Sequence, residues 1–305
     1  VLTWATGKIW VNNHAHVLRE TPKALLRFVY YCLQTVDVSL LVRGAPPKLN
    51  QANLRRIRIP VPPLPIQQEI VRILDQFTEV EAQLEAELAA RKKQYEYYRD
   101  LLLTFEHGSV TWMTIEQVCA RVTSGGTPRA SKPEYYDGDI PWLRTQEVDW
   151  RDIYDTEVKI TQDGLQNSSA KWIPANCVIV AMYGATAGKV AVNKIPLTTN
   201  QACCNLQVDE RLVHYRYVFH WLSKNYQKLK SLGRGSQSNI NASIIKGFPV
   251  PVPSLVEQER IVSILDRFDA LVNDLSSGIP AEIEARRKQY EYYRDKLLSF
   301  KEAKR

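Results

Sequence analysis

Apolar residues recur at steps of three and four along residues 70–105, with charged residues between them. Because the steps sum to sevens, the pattern predicts a long helix that carries the apolar seam of a left-handed coiled coil. About 40 helical residues at roughly 1.5 Å each make a rod of about 60 Å. A single rod of this kind cannot bury its own apolar stripe, so the pattern also predicts a partner helix.

The chain supplies that partner, because the same stretch occurs twice. Residues 91–100 read RKKQYEYYRD, residues 286–295 read RRKQYEYYRD, and an Ile-Leu-Asp tripeptide precedes each copy. Asp75 and Asp266 are 191 residues apart, whereas Tyr95 and Tyr290 are 195 residues apart. The second copy is therefore 4 residues longer in its middle. Its additional residues include Gly278, which predicts a break between helices at 261–275 and 281–300. A period this long indicates a duplicated unit of domain plus helix.

Two copies of the helix in one chain favour pairing of the copies with each other. Pairing between identical chains is the alternative for any heptad stripe. The residues predicted to form the seam are apolar or aromatic in both copies: Ile73, Phe77, Leu84, Leu88, Tyr95, Tyr98, Leu102, Ile264, Phe268, Tyr290, Tyr293 and Leu297.

The segments outside the helices read as short strands, Gly/Pro turns and one or two helices, which indicates an α+β fold. In residues 1–62 the pattern predicts a strand at 8–11, a helix at 23–33, a turn at 44–47 and a strand at 54–59. The second segment repeats this order near its end, with a strand at 188–192, a helix at 213–222, a turn at 233–236 and a closing element at 249–252.

Aligning the two orders matches Asn50 with Asn239 and Pro60 with Pro249. The spacing from Asn50 to Pro60 equals the spacing from Asn239 to Pro249. Residues 1–62 then correspond to the last part of the second segment, and the chain is expected to lack the N-terminal portion of its first domain. The predicted parts are an incomplete first domain (1–62), a first helix (63–107), a complete second domain (108–252) and a second helix (253–305).

Composition and charge narrow the class of protein. The chain has 305 residues, 45% hydrophobic content and a net charge of +7, and the globular segments are basic whereas the first helical segment is acidic. A basic surface on compact domains favours a polyanionic partner such as duplex DNA. No apolar run is long enough for a membrane span. The 5 cysteines lack metal-binding spacing, which favours reduced thiols in a cytoplasmic protein.

Three short motifs resemble catalytic or metal sites but lack essential residues. Residues 184–189 resemble a phosphate-binding loop, yet they have one residue too few between the glycines, and Val190 stands where Ser or Thr would bind Mg²⁺. Ser124 lies outside the Gly-x-Ser-x-Gly pattern of a nucleophile elbow. His14 and His16 have no Cys or acidic companions for a metal. The sequence therefore predicts a protein that performs no chemistry itself.

The paired motifs resemble those of the specificity (S) subunits of type I restriction–modification enzymes. The resemblance rests on the Pro-Val-Pro entries, the Ile-Leu-Asp starts and the Lys-Gln-Tyr-Glu-Tyr-Tyr-Arg-Asp ends of both copies. It also rests on Ser-Gly-Gly-Thr-Pro-Arg, Ile-Pro-Trp-Leu-Arg-Thr, Tyr-Gly-Ala-Thr-Ala-Gly-Lys and Asn-Gln-Ala-Cys in the second segment. It implies two target-recognition domains that each read half of a split DNA site, held apart by two antiparallel helices.

The same resemblance implies the partners. They are double-stranded DNA, two methyltransferase (modification) subunits and restriction/translocase subunits, in the cytoplasm of a bacterium and with no membrane contact. No cofactor is expected on this chain; S-adenosylmethionine, ATP and Mg are expected on the partner subunits. Two alternatives stay open at this point: a coiled-coil adaptor that binds protein and not DNA, and a DNA enzyme of an unrecognised type.

Loop residues of the types that contact DNA are the candidate site. Arg, Asn, Gln, Ser and Thr read base edges, and cations bind phosphates. Arg144, Lys189 and Arg234 rank highest because strand ends and Gly-flanked loops are expected to expose them, whereas Trp142 and Tyr183 are expected to anchor the core or a loop. The full set is Ser124, Thr127, Arg129, Arg144, Thr145, Gln146, Tyr183, Thr186, Lys189, Asn200, Gln201, Arg234, Ser236, Gln237 and Asn239.

A four-residue unit repeats within the first helix, as residues 81–84 and 85–88. One unit is about one helical turn, roughly 6 Å, and base pairs are spaced about 3.4 Å apart. We therefore expect deletion of residues 85–88 to shift the preferred DNA spacer by one or two base pairs. Selection of binding sites from DNA with randomised spacers measures this shift, and an unchanged spacer would refute it.

Overall fold

The computed structural model describes residues 2–12, 14–42, 48–106, 108–233, 239–274 and 276–301. Packing divides the chain into two compact units, Val1–Ala89 with Ile279–Arg305, and Ala90–Gly278. Both predicted helical parts, 63–107 and 253–305, divide between these units. Packing therefore groups the chain differently from the four parts expected along the sequence.

The described residues form helices and strands in the following order. The helices are α1 (Leu26–Gln34), α2 (Gln51–Leu54), α3 (Leu64–Leu102), α4 (Gln162–Gln166), α5 (Tyr215–Lys224), α6 (Tyr226–Ser231), α7 (Ala242–Lys246), α8 (Leu255–Asn273) and α9 (Ile279–Leu298), with 3₁₀ turns at Ser39–Leu41, Pro133–Tyr135 and Thr145–Glu147. The strands are β1 (Thr111–Thr114), β2 (Cys119–Ser124), β3 (Tyr136–Leu143), β4 (Asp152–Ile153), β5 (Lys159–Ile160), β6 (Trp172–Ile173), β7 (Val178–Ala181), β8 (Val190–Asn193), β9 (Leu197–Thr199), β10 (Cys203–Val208) and β11 (Pro249–Val252). Within the described ranges, each helix is too short or too polar to cross a membrane.

In the first unit, α1 packs its apolar face on the start of α3 and the end of α9. Phe28 and Tyr31 of α1 are fully buried against Leu74 of α3, and Leu298 of α9 joins the same cluster. The prediction of an amphipathic helix near residues 23–33 is confirmed, with the start three residues later. This cluster is the core of the unit.

Two predicted strands of this unit are wrong. Residues 8–11 are irregular, and residues 54–59 comprise the end of α2, a turn and an irregular segment. A strand needs a ladder partner, and no described residue of the unit pairs with either segment. The predicted turn at 44–47 lies outside the described residues.

Helices α3 and α9 run antiparallel within the first unit. Phe77 stacks on Tyr293 with ring centroids 5.5 Å apart, and it also contacts Tyr290. Further along α3, the Arg287 guanidinium of α9 binds Glu81 at 2.5 Å and Glu85 at 2.7 Å. Residue numbers rise along α3 as those of the partner fall, which is the antiparallel order.

In the second unit, the end of α3 pairs with α8 through the equivalent rings. Phe268 stacks on Tyr98 at 5.4 Å and contacts Tyr95 at 6.4 Å. The phenylalanine of each repeat therefore packs on the tyrosines of the other repeat, and the seam forms within one chain. The other predicted seam residues are half-buried: Ile73, Leu84, Leu88, Leu102, Ile264 and Leu297.

The fully buried residue in each Ile-Leu-Asp tripeptide is the leucine. Leu74 and Leu265 are completely buried, whereas Ile73 and Ile264, which the heptad reading selected, are only half-buried. Leu74 is buried because the start of α3 also faces its own globular segment, where Phe28 and Tyr31 pack on it. The role of Ile73 and Ile264 in the seam stays a prediction.

The predicted break between α8 and α9 is confirmed. A Cβ on Gly278 would lie 2.6 Å from the Ala270 carbonyl oxygen, so only glycine fits there. Hydrogen bonds from Ser276 and Ser277 hold the pKa of Asp274 at about 2. The second helix of the repeat is therefore interrupted where the first, α3, is continuous.

The second unit contains two larger sheets and a small one. A five-stranded sheet has the order β2-β10-β7-β8-β4, a four-stranded sheet has the order β5-β3-β9-β6, and β1 pairs with β11. The pairs β3–β9 and β4–β8 are parallel, and the remaining pairs are antiparallel. Apolar residues of both larger sheets meet in one core that includes Leu143, Ile179, Ala191, Leu197 and Cys203. The prediction of an α+β fold is confirmed.

A buried glutamine fixes the globular segment of each unit to the start of its helix. In the first unit, Gln67 accepts a hydrogen bond from the Leu25 amide at 2.9 Å and donates to the carbonyl oxygens of Lys23 and Pro62. In the second unit, Gln258 accepts from His214 at 2.8 Å. It donates to the carbonyl oxygens of Leu212 at 3.0 Å and Pro253 at 2.9 Å.

An aspartate two turns later makes a second polar anchor. Asp75 accepts hydrogen bonds from Arg27 at 2.7 Å and from the Tyr31 hydroxyl. Asp266 accepts from Arg216 at 2.8 Å and from His220 at 2.7 Å. In each unit, the glutamine and the aspartate of the repeat thus bind the helix of the globular segment.

Burial and hydrogen bonding set the charge states of Asp266 and His220 in the second anchor. Burial favours the neutral form of Asp266, but hydrogen bonds from His220 and Arg216 hold its pKa at about 2. Burial lowers the pKa of His220, so the ring is neutral. The neutral ring donates from Nε2 to Asp266 and accepts at Nδ1 from the Tyr95 hydroxyl, 3.2 Å away.

Two asparagines that cap helices correct the alignment of the two segments. Asn50 caps α2 by accepting from the Asn53 amide, and Asn241 caps α7 by accepting from Ile244. The structural equivalent of Asn50 is therefore Asn241, and the same offset matches Pro60 with Pro251. The predicted matches Asn239 and Pro249 are therefore wrong by two residues. The spacing from Asn50 to Pro60 could not reveal this, because Asn239 to Pro249 and Asn241 to Pro251 have the same spacing.

The buried His220 predicts a stability that falls as the pH is lowered. Its folded-state pKa lies below the ordinary 6.5, so the unfolded chain binds a proton that the folded chain does not. The free energy of unfolding should decrease below about pH 6.5, by at most about 1.4 kcal/mol per pH unit. Urea unfolding followed by tryptophan fluorescence, at pH values above 5, measures this slope.

In His220→Gln the slope should be shallower, because the amide still donates to Asp266 but does not titrate. His16→Gln, which removes an exposed histidine far from Asp266 in the sequence, is the matched control variant. An unchanged slope in His220→Gln would contradict the assignment.

Candidate nucleic-acid interface

Most candidate DNA-contacting residues lie in four loops at the ends of strands in the second unit. The loops follow β2, β3, β7 and β9. Asn239 lies elsewhere, and its buried Oδ1 has no hydrogen-bond partner among the described residues. Arg234, Ser236 and Gln237 lie outside the described residues. Ser124 is the last residue of β2, and the loop members are Thr127, Arg129, Arg144, Thr145, Gln146, Tyr183, Thr186, Lys189, Asn200 and Gln201.

Two glycines allow the loop after β2 to lie against neighbouring backbone. A Cβ on Gly125 would be 1.8 Å from the Thr199 carbonyl oxygen, and one on Gly126 would be 2.3 Å from the carbonyl carbon of Ser169. The Gly126 amide donates to the Thr199 carbonyl at 2.9 Å. Any side chain at either position would push the loop away, which explains the Gly-Gly pair in the sequence.

Hydrogen bonds join the four loops into one surface. Thr127 donates to Gln201, which links the loops after β2 and β9. The Asn200 amide donates to the Leu143 carbonyl at 3.0 Å, at the end of β3. Thr186 donates to the Thr145 carbonyl at 2.7 Å, which links the loops after β7 and β3. The structure therefore brings together residues that are far apart in the sequence.

The two highest-ranked cations within the described ranges are already paired with acids. Arg144 binds Glu157 at 2.8 Å and lies 3.6 Å from the buried Glu147, and its side chain is 27% exposed. Lys189 binds Asp149 at 2.6 Å and is 25% exposed. The expectation that both are well exposed is wrong, because carboxylates from neighbouring loops cover them. Their contact with DNA stays a prediction.

The two aromatic residues differ. Trp142 is buried, and its indole N–H donates to the Gly126 carbonyl at 2.9 Å, so it anchors the glycine loop as predicted. Tyr183 is 41% exposed, so it is not part of the core, and its role as an anchor of the loop stays a prediction.

The sequence missed a group of polar residues beside these loops. Arg121 and Thr123 on β2, Asn205 and Gln207 on β10, and Lys171 before β6 line one cavity. The two-residue alternation in β2 and β10 places these strand residues on one face. The alternation in the sequence could have shown that these residues share a face. It could not show that this face lines a cavity, because the second sheet forms the other side.

The cysteines of the second unit are buried or half-buried. Burial raises the pKa of Cys119, Cys177 and Cys204 to about 12, so these thiols are protonated at neutral pH. Within the part of the chain that the structure describes, no group of three or more His, Cys, Asp or Glu residues is placed to hold a metal ion. His16 contacts the Leu49 carbonyl oxygen at 3.0 Å.

The sequence matches the family described as the type I restriction modification DNA specificity domain, over residues 2–90 and 109–285. The match thus includes both segments. The gap between the two matched ranges falls at the end of α3.

Curated relatives share the sequence over most of the chain. The chain is 40% identical over 292 residues to the type I restriction enzyme EcoR124I/EcoR124II specificity subunit of Escherichia coli, covering 91% of this chain and 72% of that protein. It is 32% identical over 322 residues to a Haemophilus influenzae protein described as a type I restriction enzyme specificity subunit, covering 98% of this chain and 78% of that protein.

Two solved structures resemble the fold. The type I restriction-modification system S subunit from M. genitalium matches with a TM-score of 0.63 at 14% identity, covering 92% of this chain and 74% of that chain. The HsdS subunit from Thermoanaerobacter tengcongensis matches with a TM-score of 0.53 at 17% identity, covering 89% of this chain and 69% of that chain. At these identities the likeness concerns the fold.

Proposed function

The chain belongs to the type I restriction modification DNA specificity domain family, and we propose on that premise that it is the DNA-recognition subunit of a type I restriction–modification complex. In this role it reads a bipartite DNA site and holds methyltransferase and restriction subunits. The observation that carries the proposal is the family match over both segments, at residues 2–90 and 109–285.

The repeated anchors support a two-part role. Gln67 and Asp75 hold one globular segment to α3, and Gln258 and Asp266 hold the other to α8, through matching hydrogen bonds. A bipartite DNA site needs two readers of related construction. Two segments held by one anchoring scheme suit that need.

The proposed role is recognition and not catalysis. The short motifs around Ser124, Lys189 and His14 lack the residues that a nucleophile elbow, a phosphate loop or a metal site requires. Methyl transfer and cleavage would then belong to partner subunits, which would bind S-adenosylmethionine, ATP and Mg. A protein-binding adaptor is the weaker alternative, since the matched family is described by its specificity for DNA.

Two exposed tyrosines support docking of two methyltransferase subunits. Tyr97 is 63% exposed and Tyr292 is 60% exposed, at the same position of the two repeats. Each lies beside the tyrosine that packs on the other repeat, at ring-centroid distances of 5.4 Å for Tyr97–Tyr98 and 5.2 Å for Tyr292–Tyr293. Exposed tyrosines are enriched at protein interfaces, so each repeat offers one docking position.

Co-expression with the host's methyltransferase subunit tests the proposal. The purified complex should methylate DNA at one bipartite sequence, and its affinity for duplex DNA should fall steeply with salt because phosphate contacts release counterions. Mapping of methylated sites and a salt titration of binding measure both properties. Retention of DNA-independent protein binding, with neither methylation nor salt-dependent affinity, would favour the adaptor instead.

The exposed tyrosines predict the stoichiometry of the complex. Tyr97→Ala or Tyr292→Ala should each weaken one of two equivalent sites and lower the ratio of methyltransferase to this chain from two to one. The double variant should bind neither subunit. Native mass spectrometry measures the ratio, with Gln83→Ala on α3 as the control, and a ratio of two in the double variant would contradict this role.

A further inference from the structure

A cleft opens between the edge strands of the two larger sheets in the second unit. Strand β2 is the outer strand of the five-stranded sheet, and β6 is an outer strand of the four-stranded sheet. Arg121 opposes Gln207 and Thr123 opposes Asn205 in the β2–β10 ladder, so these four side chains share one face. On the other side, Trp172 of β6 and Lys171 just before it line the cleft.

The charge of this cleft is positive and uncompensated. Arg121 and Lys171 are exposed, and no aspartate or glutamate lines the cavity. Within the described ranges, neither cation forms an ion pair or a side-chain hydrogen bond. They differ in this from Arg144 and Lys189, whose positive charges are matched by neighbouring carboxylates.

A buried acceptor at the cleft lacks a donor. Asn205 is 2% exposed, and its Nδ2 donates to Thr199 at 2.8 Å. Its Oδ1 has no hydrogen-bond partner among the described residues, although the residue lines the cavity. An unsatisfied buried carbonyl costs roughly 1–3 kcal/mol, so a donor from a ligand or from water would stabilise it.

We propose that this cleft is a DNA-contact site of the second recognition domain, in which Arg121 and Lys171 bind backbone phosphates and Asn205 accepts a hydrogen bond from a base amino group. The inference rests on the proposed function and assigns residues to it. Exocyclic amino groups are the donors that base edges present in the grooves of duplex DNA, and phosphates are the anions beside them.

The size of the cleft decides which form of DNA it can take. Its volume of about 20 Å³ holds a group about as large as one water molecule, and a whole base is too large for it. The cleft therefore meets the edge of an intact duplex and does not receive a base flipped out of the stack. Trp172, 48% exposed at the mouth, lies where the DNA strand would pass.

Charge-neutral variants of the complete chain, assembled with its methyltransferase subunits, test the phosphate contacts. The probes are a duplex carrying the methylated sequence mapped for the wild type and a scrambled duplex of equal length. Arg121→Gln and Lys171→Gln should weaken binding to both duplexes and should each lower the slope of log affinity against log salt by about 1. Arg211→Gln and Lys246→Gln remove a positive charge from paired positions of the same unit and should leave the slope unchanged.

Photocrosslinking gives a second measurement that does not depend on the fold of the charge variants. Trp172 and Trp112 are 48% and 50% exposed in the same unit, so they form a matched pair. Replacing Trp172 with p-benzoylphenylalanine should yield a crosslink to the mapped duplex, whereas the same replacement at Trp112 should not.

The outcomes separate this inference from the proposed function. If the wild-type complex shows no salt-dependent binding to either duplex, the proposed function fails and the inference fails with it. If the wild type binds but Arg121→Gln and Lys171→Gln match their controls, or position 172 gives no crosslink, the cleft assignment alone is overturned. A lower slope in both variants together with a crosslink at position 172 supports the assignment.

Discussion

The architecture depends on a glutamine buried at the start of each long helix. Gln67 and Gln258 are completely buried, and each uses its whole amide group to bind three backbone groups of the globular segment. Loss of the amide would leave those backbone groups unsatisfied, at roughly 1–3 kcal/mol each. A side chain that satisfies three backbone groups at once fixes where the segment meets the helix, and apolar contacts alone would allow it to slide.

The aromatic seam extends the same principle to the helices. Phe77 packs on the tyrosines of the second repeat, and Phe268 packs on those of the first. Each repeat therefore supplies one half of each seam, and the two halves meet in a single chain. Stacked and tilted ring pairs constrain register more than aliphatic contacts do, since their energy depends on ring geometry. The exposed ion pairs of Arg287 add little stability but are consistent with the same register.

The distribution of free charge matters more than the net charge for the recognition surface. The chain carries +7 overall, yet several cations on the loops are paired with acids of neighbouring loops. Arg144 and Lys189 would have to exchange a carboxylate for a phosphate, which offsets part of the gain from binding DNA. Arg121 and Lys171, which have no acidic partner within the described ranges, carry no such cost. Affinity for DNA is therefore expected to come from the cleft more than from the loops that look most basic in the sequence.

Local sequence determined much of the fold. The period of apolar residues and the exact repeat predicted α3, the break before α9 and the pairing of the two copies, because helix geometry depends on neighbours three and four residues away. The Gly-Gly and Pro-rich motifs predicted loops for the same local reason. Most of the candidate loop residues do lie on one connected surface, since strand ends bring them together.

Tertiary structure alone decided what those local signals leave open. The strands expected at 8–11 and 54–59 do not form, because a strand requires a partner from elsewhere in the chain. Three properties depend on residues distant in sequence: which residue of Ile-Leu-Asp is fully buried, which cations are covered by acids, and which face of β2 lines a cleft. The sequence by itself determined the helices and their duplication, whereas the three-dimensional packing decided the anchors and the free charges, since burial and ion pairing are set by neighbours in space.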